Sequence, residues 1–143
     1  MRKISICLLA AFIGLSITGC GGDKNVGRVQ GTVTLDNQPL PNAKVIFEPE
    51  NGRPSGATTD EKGQYQLKYT SDNNGALIGT HRVTISTRSS GNPDEGIEPT
   101  PELVPAKYNS QSELVKEVTK GKNIIDFNLT SEGKISNPDE NGE

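Results

Sequence analysis

Val29-Gln30-Gly31-Thr32-Val33-Thr34-Leu35 is followed by Asp36-Asn37-Gln38-Pro39-Leu40-Pro41-Asn42 and then by Ala43-Lys44-Val45-Ile46-Phe47-Glu48. The outer two pieces alternate with period two. Val29, Gly31, Val33 and Leu35 share one face against Gln30, Thr32 and Thr34. Ala43, Val45 and Phe47 share another against Lys44, Ile46 and Glu48. That period belongs to a strand with one buried face; a helix repeats every 3.6 residues. The middle piece is made of turn residues, because Asp and Asn bond nearby amides and Pro fixes φ. The chain therefore opens its domain with two strands joined by a tight connection.

The same alternation recurs downstream. Tyr65, Leu67 and Tyr69 share a face, as do Val83, Ile85 and Thr87, and as do Asn123, Ile125, Phe127 and Leu129. Residues 112–119 are less regular: Leu114, Lys116 and Val118 share a face and Val115 points away. A short strand fits 56–59. Turn residues at 60–63, 71–75 and 120–121 punctuate these pieces. No stretch has helical periodicity, and Gly and Pro together supply 25 residues while Trp is absent. The expectation is an all-β domain, an antiparallel Greek-key sandwich of about seven strands, transthyretin-like or immunoglobulin-like. Residues 89–105 break the pattern with four prolines and four acids. Loops of that length are functional or mobile, and a mobile connection is the simpler reading.

The N-terminus has a different grammar. Arg2 and Lys3 precede an apolar run over residues 4–15, followed by small and polar residues, the order of an export signal. The run is short of the roughly 20 residues that span a bilayer. It ends in Leu15-Ser16-Ile17-Thr18-Gly19-Cys20, which resembles the lipobox of bacterial lipoproteins. The resemblance implies cleavage before Cys20 and lipid on its thiol, hence an exported chain held to a membrane facing the periplasm or the cell surface. Residues 1–19 are then the signal, 20–27 a tether, 28–130 the domain and 131–143 a disordered acidic tail.

Composition narrows the function. Removal of Arg2 and Lys3 leaves 13 basic against 18 acidic residues, a net charge of -5. An acidic chain without a basic stripe argues against nucleic acid as a partner. Of the two cysteines, Cys7 leaves with the signal and Cys20 is taken by lipid. The domain then has no thiol for a disulfide or a nucleophile.

Three further motifs resemble those of carboxypeptidase regulatory-like domains. Gly31 to Val45 is similar to that family's opening, G-x-V followed by a P-L-x-G-A-x-V segment, with Asn42 where the family often has Gly. Thr59-Asp60-Glu61-Lys62-Gly63-Gln64-Tyr65 is similar to its T-D-x-x-G-x-Y signature, and Gly79-Thr80-His81-Arg82-Val83-Thr84-Ile85 to its G-x-H-x-V-x-I strand. The resemblance implies a seven-stranded sandwich and no particular activity. The signature also has a reading in turn chemistry alone: Asp60 caps the turn, Gly63 takes the left-handed position and Tyr65 re-enters the core.

The chemistry-bearing residues are few. His81 is the only histidine and shares a face with Val83 and Ile85, which makes it a packing residue at a strand end. A multi-histidine zinc site is impossible with one histidine. Hydroxyisourate hydrolases of transthyretin-like fold use several, so a small hydrolase is disfavoured. Asp72-Asn73-Asn74-Gly75 lacks the ligand spacing of a calcium loop and reads as a turn. Asp94, Glu95, Glu98 and Glu102 read as a solvated acidic loop. Lys107-Tyr108-Asn109 holds the one aromatic expected at the surface and is the candidate ligand contact, although closure of the long loop over the sandwich is the favoured reading of Tyr108. The expected function is a monomeric, non-catalytic, lipid-anchored envelope module without a cofactor. It would bind or space an envelope protein or a glycan; a carbohydrate-binding module is the alternative.

Overall fold

The computed structural model describes residues 25–136. The expected signal, Cys20 and most of the expected tether lie outside the described residues. The domain is an all-β sandwich of two sheets, with no α-helix among the described residues.

The first sheet is organised around β1 (Val26–Leu35), whose two edges serve different partners. Along one edge run three antiparallel pieces: β2 (Gln38–Pro39), β5 (Gln64–Gln66) and β6 (Ala76–Leu77). Along the other run β9 (Lys122–Ile124) and β10 (Phe127–Leu129), both parallel to β1. The second sheet is antiparallel throughout. Its order is β4 (Ser55–Thr58), β3 (Lys44–Pro49), β7 (Gly79–Ser86) and β8 (Val115–Val118). An isolated Gly56–Lys68 bridge ties the two sheets together at one side.

The alternating faces meet between the sheets. Val29 and Val33 of β1, Val45 and Phe47 of β3, Tyr65 and Leu67, Val83 and Ile85 of β7, and Phe127 and Leu129 of β10 are all buried in one core. Phe127 lies edge-on to Phe47, with ring centroids 6.1 Å apart, and stacks at a tilt against Tyr65 at 6.2 Å. The first contact joins the sheets across the layer, and the second ties the two flanks of the first sheet. Aromatic pairs at such separations add to area burial.

The turns follow from their residues. Asp36 and Asn37 both have positive φ (49° and 64°), the type I′ geometry that matches strand twist in a two-residue hairpin. Asn42 also has positive φ (56°), a conformation that Asn tolerates. Asp60 Oδ1 accepts from the amides of Lys62 and Gln64, both at 2.9 Å, and Gly63 takes the left-handed position at φ 72°. The turn reading of the T-D-x-x-G-x-Y stretch holds in each part.

Several expectations need correction. The parallel pairing of β9 and β10 with β1 was not expected: the turn at Lys120 and Gly121 carries the chain from β8 to the other sheet rather than folding it back as a hairpin. Tyr69 is half-buried rather than in the core, because β5 ends at Gln66 and the chain turns at 70–73. Leu40, which the sequence pattern places in a turn, is 5% exposed and belongs to the core. Residues 131–136 bond to the rest of the domain instead of trailing from it: Lys134 O accepts from Ala106 N and Ser136 Oγ meets Ser110 Oγ. The loop from 89 is braced rather than a free connection. Ser89 pairs with Thr100 and Asn92 with Ile97. Glu102 turns back to accept from the Ser86 hydroxyl and from the amides of Thr87 and Val104, both at 3.0 Å. A carboxylate capping its own loop explains one of the four acids without a cation.

One crossing fixes the first sheet. Between β9 and β10 the ladder is interrupted at Ile125 and Asp126. Asp126 Oδ1 accepts from Thr32 N at 2.8 Å, in place of a backbone carbonyl. The freed Ile125 carbonyl passes over Gly31 and accepts from the Tyr65 hydroxyl at 2.6 Å. A Cβ on Gly31 would lie 1.9 Å from that carbonyl oxygen, so only glycine permits the crossing.

Gly31→Ala is expected to destabilise the domain by about 3 kcal/mol or more, since backbone rather than a flexible side chain must give way. Tyr65→Phe, which removes the partner of a part-buried carbonyl, should lose about 1 kcal/mol. Gly56→Ala is the control, because a Cβ there meets nothing nearer than Val45 O at 3.6 Å. Urea titration followed by circular dichroism checks all three; a Gly31→Ala protein as stable as the control would refute the crossing's role.

Candidate functional site

The outer face of the first sheet carries an ordered polar array. Register places Gln66, Gln30 and Ile124 in one row across β5, β1 and β9. Gln64 and Thr32 form the next row, completed by Asp126 through its bond to Thr32 N. Thr58 and Asp60 wall the array on the side of β4. Together they line a groove of about 500 Å³. Gln30, Thr32, Gln64, Gln66 and Ile124 are the outward half of the strand alternation, so the floor of the groove follows from the same pattern that builds the core.

The groove offers donors and acceptors with little apolar cover. Three Gln amides and two Thr hydroxyls can donate and accept. Asp60 and Asp126 each commit Oδ1 to backbone amides, and among the described residues neither Oδ2 has a protein donor. Tyr65 contributes its rim alone, being 4% exposed. Its phenol is pushed well above the usual value, first by burial and then by the Asp126 charge, so it stays protonated and keeps donating to Ile125 O. Such a surface suits a polar, hydroxyl- or amide-rich ligand held by hydrogen bonds. It presents no open aromatic face on which a sugar ring could stack.

The expected contact residues lie elsewhere. Lys107 and Tyr108 sit on a 3-10 turn, Ala106–Tyr108, at the end of the sandwich where β10 finishes. Tyr108 is half-buried and leans on the core. Its hydroxyl meets Thr130 Oγ1 at 3.4 Å and accepts from Thr130 N at 3.3 Å, while Lys107 Nζ stands 5.0 Å from its ring centroid. The Thr130 hydroxyl above all, helped by Lys107, lowers its phenol below the usual value. Asn109 donates from Nδ2 to Val104 O at 3.0 Å. All three have intramolecular partners that close the long loop, and none lines the groove. Cys20 lies outside the described residues. The 72–75 segment forms a turn in which Asn73 O accepts from Tyr69 N at 2.9 Å. The groove residues were visible in the sequence only as the polar half of two strands. Their signal is that an exposed sheet face in an acidic chain carries glutamines and threonine where Lys and Glu would be ordinary.

His81 is packed as its face predicts. It is 1% exposed and its ring lies 5.8 Å from that of Phe47. Gly79 O is 3.0 Å from Nδ1; a carbonyl only accepts, so the neutral ring carries its proton there. Nε2 is buried without a partner. A second proton would place an N–H⁺ in apolar surroundings with nothing to bond. Burial accordingly lowers the pKa from 6.5, against the smaller opposing effect of the Gly79 bond.

No family model matches the chain, and no curated protein matches it. Among solved structures it is similar to a DUF3823 family protein from Parabacteroides merdae, at 16% identity and a TM-score of 0.41. The match covers 76% of this chain and 47% of that one, so the chain spans about half the length of that protein.

The buried imidazole sets a pH dependence. With its folded pKa below its unfolded value, His81 contributes stability that is full above pH 6.5 and is lost as pH falls through the lowered folded value. His81→Phe should flatten the slope of stability against pH below 6.5. Denaturant titrations at several pH values check this, and an unchanged slope in the variant would assign the dependence to other groups.

Proposed function

We propose that the protein is a lipid-anchored, non-catalytic envelope module whose sandwich holds a polar sheet face at a short, fixed distance from a membrane. The observation that carries this reading is the spacing between the lipobox-like cysteine and the fold. Five residues, 21–25, separate Cys20 from the first residue of β1. Fully extended, that connection reaches about 20 Å. Lipid on Cys20 would therefore keep the domain close to the bilayer surface, and two or three acyl chains would make the anchoring stable. The carboxypeptidase regulatory-like motifs imply a sandwich and no particular activity, which is compatible with this reading. Because the 72–75 turn, the single histidine and the long loop all have structural explanations, the groove is the surface left for a partner.

A glycan is the second reading. The array of three glutamines, two threonines and two carboxylates favours it, as these groups match the donors and acceptors of sugar hydroxyls. It moves the candidate contact from Tyr108 to Gln30 and Gln66.

Expression in a bacterial host with labelled palmitate should place label on the protein in the membrane fraction, with a mass at the peptide starting at Cys20 that fits diacylglyceryl addition. Cys20→Ser should abolish the label and release the protein. An unmodified, soluble wild-type chain would end the anchoring reading. For the second reading, a glycan array probed with the purified protein should give signals that Gln30→Ala/Gln66→Ala reduces about tenfold or more, as the loss of two hydrogen bonds implies, and that Tyr108→Ala leaves in place; the reverse pattern would return the site to Tyr108.

A further inference from the structure

The sandwich has two chemically different ends, and the connection to Cys20 leaves from one of them. At that end the first residues of β1 meet the loops at 50–54, 70–79 and 119–122. Asn25 O accepts from Ile78 N at 2.8 Å, Gly121 O accepts from Arg28 N at 2.8 Å, and Gly52 packs beside Leu77. Asn123 locks the join by donating from Nδ2 to Arg28 O at 3.1 Å and to Thr119 O at 2.8 Å.

The charges divide along this axis. The tether end, taken as residues 25–28 with those three loops, carries Arg28, Arg53, Lys120 and Lys122 against Glu50 and Asp72. The far end, taken as 36–44, 60–63, 87–109 and 130–136, carries five basic residues against eight acidic ones. The four cations of the tether end are exposed, and among the described residues none forms an ion pair. Two of them are set side by side: register puts Arg28 directly opposite Lys122 across the β1–β9 ladder. Like charges so placed are destabilising unless an anion neutralises them. Ile78, beside the start of β1, adds an apolar side chain that is 42% exposed.

We propose that this end of the sandwich, through Arg28, Arg53, Lys120 and Lys122 around Ile78, rests on the anionic phospholipid headgroups of the membrane that holds the chain. The proposal builds on the anchoring reading, which supplies the nearby bilayer. Cations close to an anionic bilayer bind with a strength that adds up residue by residue and falls off within a Debye length. A connection of five residues limits the end to about 20 Å from the bilayer, so the end enters that range whenever the connection is less than fully extended. The acidic far end is repelled by the same surface, so both ends favour one orientation.

The test uses the whole chain from residue 20 to 143 with Cys20→Ser, so that it does not depend on lipidation: failed palmitate labelling sinks the anchor, whereas failure here sinks the orientation. This chain holds no other cysteine. A dye sensitive to polarity is placed on Ile78→Cys or, at the far end, on Glu61→Cys. With vesicles of phosphatidylglycerol and phosphatidylethanolamine at low salt, the dye at position 78 should shift to the blue and the dye at 61 should not. Phosphatidylcholine vesicles or high salt should remove the shift. In flotation, Lys120→Gln/Lys122→Gln should weaken retention about twenty-fivefold, at about fivefold per cation, while Lys44→Gln/Lys62→Gln should leave it unchanged. Equal dye responses at both ends, equal binding to neutral vesicles, or no retention on anionic vesicles at low salt would overturn the proposal.

Discussion

The hydroxyl of Tyr65 reaches across β1 to the carbonyl of Ile125, and the rest of the first sheet is arranged so that it can. Five short pieces take their ladder bonds from β1, three on one edge and two on the other. Pieces of two or three residues bring little stability alone. They hold because β1 is long enough to seat them all, and because a bond between its two flanks closes over Gly31. That bond sets the interruption between β9 and β10, which in turn aims Asp126 at Thr32 N and places its carboxylate on the outer face. The inner closure of the sheet and the outer polar groove thus depend on one missing side chain.

Much of this was legible in the sequence, for physical reasons that can be named. Alternation marks a half-buried strand strongly, so the stretches around Val29 to Leu35, Ala43 to Glu48 and Val83 to Ile85 were recovered, with His81 on the inner face. Turn chemistry is local, so Asp60, Gly63 and Asn42 behave as their residue types require. The parallel pairing of β9 and β10 was not legible, because alternation says which face is buried and nothing about which neighbour an edge will find. Nor was the bracing of the long loop: Glu102 reads as one of four solvent acids until Ser86, Thr87 and Val104 are brought to it.

The candidate site shows the same division. A tyrosine flanked by Lys107 and Asn109 draws attention in a chain with three tyrosines, but an aromatic residue also closes loops. Tyr108 is engaged by Thr130 and Lys107 in that way. The groove is built from residues whose individual identities are unremarkable. Gln30 and Gln66 become an array only through the β1–β5 register, and Ile124 joins them only through the parallel ladder that the sequence did not disclose.

The position of the groove along β1 bears on what the module can reach. Gln30 and Thr32 lie four and six residues from the start of the strand, which at about 3.3 Å per residue puts them about 13–20 Å above the tether end. With that end on headgroups, the groove opens sideways, parallel to the bilayer, and its height varies little. Were the tether end free, a connection of five residues would let the groove range over about twice that height. On the proposed orientation, the charge division would do more than hold a domain down. It would turn the connection into a spacer of defined length, which would suit recognition of a component lying at one depth over capture of a freely diffusing solute.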